Sequence, residues 1–95
     1  MTIGEFVSIL DYKFIITLCP MDDMAKQKMR TFMTEHKEEY GLESSEDFIH
    51  SHNEISLTFS VGEFDGDIKD TFNNYHVLKT VNDLYDRNTL LVYYK

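Results

Sequence analysis

The chain has no tryptophan, one proline, one cysteine and four glycines among its 95 residues. A single cysteine, Cys19, excludes an intrachain disulfide, so folding rests on a packed core and a reducing, cytoplasmic setting is expected. Gly4, Gly41, Gly62 and Gly66 are too scattered to form a phosphate-cradling loop. Long hydrophobic runs are missing, and the apolar stretches are far too short to cross a membrane. The first residues carry no basic region, and Glu5 and Asp11 interrupt the apolar ones, unlike a secretory signal. Basic residues are also scarce, nine against seventeen acidic ones, for a net charge of −8. They form no cluster with aromatics. Direct binding to nucleic-acid phosphates or to anionic lipid is therefore disfavoured, and a basic partner is favoured by the same electrostatics.

What the chain has is apolar and aromatic content: 42% hydrophobic residues, with seven Phe and six Tyr. A chain of this length buries roughly two thirds of its unfolded surface, which suits one domain over residues 1–95. Phe14, Ile16 and Leu18 alternate with Lys13, Ile15 and Thr17, which predicts a strand over 6–18. Asp11-Tyr12 could instead be a turn that splits this stretch into a hairpin. Pro20 ends the strand and suits the first turn of a helix. Met21, Ala25, Met29, Phe32, Met33 and Tyr40 recur at helical spacing, and Gly41 supplies a stop, so a helix is expected over 21–40. Met24 lies off that stripe.

Residues 48–51 read as a short strand. Ile55, Leu57, Phe59 and Val61 alternate with polar residues and read as a half-buried strand. Ile68, Phe72, Tyr75, Leu78, Val81 and Tyr85 fit a helix over 67–86. Leu90–Tyr94 is a last strand. The order β-α-β-β-α-β predicts a ferredoxin-like α+β fold, with a four-stranded antiparallel sheet of order 4-1-3-2 and two helices on one face.

The charge is unevenly placed. Glu35, Glu38, Glu39, Glu43, Glu46 and Asp47 stand against Lys37 alone, leaving −5. Glu63, Asp65, Asp67 and Asp70 stand against Lys69 alone, leaving −3. These two windows hold the whole net charge, and the expected topology brings both to one end of the domain. Solubility and helix capping account for acids at such places without any binding role. Yet Glu35, Glu38 and Glu39 fall near an expected helix C-terminus, where the dipole opposes them by about 0.3–1 kcal/mol each.

Other chemistry is thinly represented. His50 and His52 share a strand face and can bind metal with a carboxylate or His36, but no third ligand has a recognisable spacing. Glu63-x-Asp65-x-Asp67-x-x-Asp70 lacks the ligand order of an EF-hand. Cys19 before a helix, with His52 approaching, is the best Cys/His pair available, and it is a weak one. No cofactor is expected.

The leading expectation is a non-enzymatic inhibitor whose ten carboxylates in the two windows occupy a basic surface of a partner, such as a nucleic-acid-binding nuclease complex. This is the anti-CRISPR or anti-restriction type of role. The abundance of Asn, Lys, Ile, Phe and Tyr fits A/T-rich coding and a phage or mobile-element product. A second reading is a structural or regulatory domain that self-associates, as a homodimer, through an exposed edge strand bearing Tyr93 or Tyr94. A third is a metal-binding protein using His50 and His52.

Overall fold

The computed structural model describes residues 1–36, 56–82 and 88–95. The chain opens with a short helix, α1 (Ile3–Ser8). Thr2 and Glu5 form a capping box: the Thr2 hydroxyl accepts from the Glu5 N–H at 3.2 Å, and the Glu5 carboxylate accepts from the Thr2 N–H at 2.9 Å. Of the strand expected over 6–18, residues 6–8 are thus helix, and only 15–18 are strand. Its turn alternative is the part that holds, because Phe14 N donates to Asp11 O at 3.1 Å and Lys13 N to Asp11 Oδ1 at 3.3 Å. That turn joins a helix to a strand rather than two strands of a hairpin.

Strand β1 (Ile15–Pro20) follows. Pro20 ends it instead of starting the next helix. Its missing N–H is harmless there, because the antiparallel pairing on one side stops at Leu18 and on the other side Met21 N, not residue 20, donates to Tyr94 O at 2.9 Å. Met21 is exposed, and Asp22 caps helix α2 (Asp23–His36), accepting from Ala25 N at 2.7 Å. Ala25, Met29, Phe32 and Met33 are its buried stripe, while Met24 points to solvent.

Strand β2 (Leu57–Ser60) buries Leu57 and Phe59, as the alternation predicts. A 3-10 turn (Val61–Glu63) leads to helix α3 (Gly66–Phe72). The helix expected over 67–86 therefore ends early. Asn73 and Asn74 favour turns over helix interiors. The chain then forms strand β3 (Val77–Asn82) and, last, strand β4 (Thr89–Tyr94). In the expected stripe Ile68 and Phe72 are fully buried, but Leu78 is 48% exposed and Val81 43%. Their spacing matched a helix by coincidence, whereas β-branched Val77, Thr80 and Val81 suit a strand.

The described strands form one mixed sheet of order β2-β1-β4-β3. β1 pairs antiparallel with β2 and parallel with β4, and β3 pairs antiparallel with β4. This replaces the antiparallel 4-1-3-2 sheet of a ferredoxin-like fold. The neighbours of β1 are the expected ones. The direction of the last strand is not, because β3 inserts one more chain reversal before it. β4 is consequently an inner strand, so Tyr93 and Tyr94 do not offer an edge. The edge next to it is β3. The strand expected over 48–51 lies outside the described residues.

Ile16, Leu18, Leu57, Phe59, Val92 and Tyr94 share one sheet face and join the buried side chains of all three helices in a single cluster. Phe72 is its aromatic hub, 5.0 Å from the Phe32 ring and 6.3 Å from those of Tyr75 and Tyr94. Among the described residues no helix is long and apolar enough to cross a membrane.

Tyr94 is fully buried, yet among the described residues its hydroxyl has no hydrogen-bond partner. Desolvation, with smaller contributions from Tyr75, Cys19 and Asp22, pushes its phenol pKa well above the usual range. An unsatisfied buried hydroxyl costs about 1–3 kcal/mol. Tyr94→Phe should therefore raise stability by roughly 1 kcal/mol, read from urea unfolding. A loss of that size would show that the hydroxyl is in fact bonded.

Candidate functional site

The second acidic window is built around the start of α3. Asp65 adopts an extended backbone and accepts from Gly66 N at 2.7 Å. Gly66 has φ of +54°, a left-handed conformation that glycine adopts without cost. Glu63 accepts from the Ser60 N–H and hydroxyl, both at 2.9 Å. Asp67 and Asp70 project from α3 into solvent. Capping thus employs Glu63 and Asp65, Asp67 lies in the first turn of α3 where the helix dipole favours an acid, and Asp70 is left without such a duty.

The described start of the first window meets the second. His36, in the last described turn of α2, places Nδ1 3.9 Å from Asp67 Oδ2. Its ring stacks on Phe32 at 4.4 Å, which fixes it against the core. Glu35 is exposed beside it. The contact is too long for a hydrogen bond, and it offsets one carboxylate when His36 is protonated. Glu35 therefore lies at the same end of the fold as Asp67. Glu38, Glu39, Glu43, Glu46 and Asp47 lie outside the described residues, as do His50 and His52. Cys19 lies within β1, half-buried, rather than at a helix N-terminus. Among the described residues no group of three or more His, Cys, Asp or Glu could hold a metal ion.

Sequence reasoning missed a cleft at this end. About 290 Å³ of space lies between Gly4, Val7 and Ser8 of α1, Leu10 and Tyr12 of the following turn, Val61, Phe64 and Lys69. Tyr12, on its wall, is 80% exposed, and Ile9, between Ser8 and Leu10 in sequence, is 70% exposed. The available signal was the Thr2-x-x-Glu5 capping box, which turns Ile3, Phe6, Val7 and Leu10 into a helical stripe.

Comparison with protein-family models, curated proteins and solved structures finds no match to this chain.

Two of these carboxylates respond to pH in a definite direction. Backbone and then side-chain hydrogen bonds from Thr2 lower the pKa of Glu5, and those from Ser60 lower that of Glu63, both from a starting value of 4.5. A carboxylate with a lowered folded-state pKa contributes stability above its unfolded value and loses it as pH falls through the folded one. Their contribution is thus present above pH 4.5 and fades below it. The double variant Glu5→Gln, Glu63→Gln should show a shallower fall of Tm on acidification below that point. An unchanged slope would mean these bonds do not persist in solution.

Proposed function

We propose that the protein is a non-enzymatic binding protein whose acidic end occupies a basic, nucleic-acid-binding surface of a partner. This would make it an inhibitor of the anti-CRISPR or anti-restriction type, acting in the cytoplasm. Carboxylates would compete with phosphates for the partner's Lys and Arg side chains, and long-range attraction would speed the encounter. The observation that supports this reading best is the His36–Asp67 contact at 3.9 Å, which brings the start of the −5 window to the −3 window. Asp70 adds to it, being an exposed acid with no capping role.

The test is capture on the immobilised protein at low salt, followed by a salt step to about 0.5 M, where screening shortens the range of charge attraction to a few ångströms. Proteins that elute in the step should bind nucleic acid. Elution of proteins with no nucleic-acid affinity would overturn the competition mechanism.

Self-association is the second reading, and the placement of β3 favours it. This strand lies at a sheet edge among the described residues, carries exposed Leu78 and Val81, and has Lys79 as its one charge. Sedimentation of the purified protein over a range of concentrations separates the two readings.

A further inference from the structure

We infer that two copies of the chain pair weakly through the sheet face turned away from the described helices. This rests on the self-association reading, and assigns the contact to that face rather than to the β3 edge. Strand side chains alternate between two faces. Ile16, Leu18, Val92 and Tyr94 point into the core that also holds the buried stripes of α1, α2 and α3. On the other face Thr58, Thr17, Leu91 and Val81 stand side by side in one row across β2, β1, β4 and β3. Thr17 and Thr58 join their hydroxyls at 3.0 Å. Ile15 and Tyr93 flank the row, and Lys79 Nζ lies 4.9 Å from the Tyr93 ring centre. Ile15, Leu91, Tyr93 and Val81 neither belong to the core nor pack against it, although each is apolar or aromatic. Thr58 and Val81 are exposed and the other three are partly so.

Charge points to a second copy as the occupant. Among the described residues no strand carries a carboxylate, and Lys79 is the one charged residue on any strand. Strand propensity by itself disfavours Asp and Glu at such positions. The result is a face with nothing to draw a basic partner, and one lysine is too little to select an acidic one. Two copies carrying −8 each need a contact that keeps their carboxylates apart. Sheets pack face to face about 10 Å apart, and a two-fold pairing of this face leaves α2 and α3 of both copies, with Glu35, Asp67 and Asp70, on the outside. The two helix layers then stand farther apart than the Debye length of about 8 Å at physiological salt. The β3 edge is the poorer surface. Met1 O already accepts from Val77 N at 3.0 Å, Thr2 bridges His76, and a bulge with Lys79 follows. Features of this kind oppose strand addition. Four strands of about six residues give the face an area of about 400 Å² per copy. The pair therefore buries about 800 Å², less than the roughly 1,200–2,000 Å² of stable complexes, so the dimer exchanges with monomer.

The test is sedimentation of the intact protein at concentrations up to about 1 mM, the regime that a contact of this size requires. A rapid monomer–dimer equilibrium is expected. It should strengthen between low salt and about 0.5 M, because salt screens the remaining repulsion between copies. Thr58→Glu sets a carboxylate against the apolar contact and should raise the dimer Kd at least about tenfold, with the circular dichroism unchanged. Thr58→Val keeps the side-chain shape and should leave the dimer at least as tight. Thr58 is on β2, at the opposite side of the sheet from β3, so neither change touches the β3 edge. A dimer that ignores Thr58→Glu would overturn the face assignment and leave self-association through the edge. Equal loss with both substitutions would trace the effect to β2 itself and also overturn it, as would a dimer that dissolves when salt rises. A protein that stays monomeric throughout would overturn this inference together with the self-association reading, and leave the acidic-end reading standing.

Discussion

Phe72→Ala is expected to destabilise the protein by about 3–5 kcal/mol, the range for removing a fully buried aromatic ring. Phe72 is completely covered and touches Phe32, Tyr75 and Tyr94, so it ties α3 to α2 and to β4. Domains of this size have roughly 5–15 kcal/mol of total stability, so the loss is a large share. Tm should fall by about 12 °C or more. Leu78→Ala is the matched comparison, because Leu78 belongs to the same apparent helical stripe but is 48% exposed on β3. It should cost well under 1 kcal/mol, as surface substitutions usually do. Two equally costly substitutions would restore the long helix over 67–86 and remove β3.

Reversing Glu35, Asp67 and Asp70 to lysine is expected to weaken binding to a basic partner on the order of 100-fold at low salt, if each reversal costs about 1 kcal/mol. All three side chains are exposed, and Glu35 and Asp70 have no capping role. Asp67→Lys places a cation in the first turn of α3, which costs about 0.3–1 kcal/mol, so the variant should remain folded by circular dichroism. The gap between the two proteins should narrow as salt rises, because screening acts on the part of the affinity that the reversals remove. A folded triple variant that binds as tightly as the parent would leave the acids a solubility role.

The sequence disclosed some elements and misled on others for physical reasons. The alternation Leu57-Thr58-Phe59 is legible because β2 has one buried face and one polar face. The Ala25, Met29, Phe32, Met33 stripe is legible because α2 packs along a single side. Residues 6–8 are helix rather than strand because the Thr2–Glu5 capping box starts a helix that the strand pattern at Phe14–Leu18 does not reveal. Residues 77–82 show an accidental 3.6-residue spacing because a solvated edge strand needs no apolar alternation. That single strand then changed the sheet from antiparallel to mixed.

The site divides in the same way. Charge windows can be read from sequence alone, since they need counting and no geometry. The topology read from sequence brings both acidic windows to one end; the His36–Asp67 contact bears on Glu35 alone, and the other five acids of the first window lie outside the described residues. The cleft was invisible, since it joins residues from α1, a turn and α3 that lie far apart in the chain.

The most direct test of the acidic end is the affinity of the intact protein for its captured partner, measured across a salt series with nucleic acid as competitor. Affinity should fall steadily with rising salt, and nucleic acid should displace the protein from the partner. Affinity that ignores salt, in a complex that nucleic acid leaves intact, would contradict it.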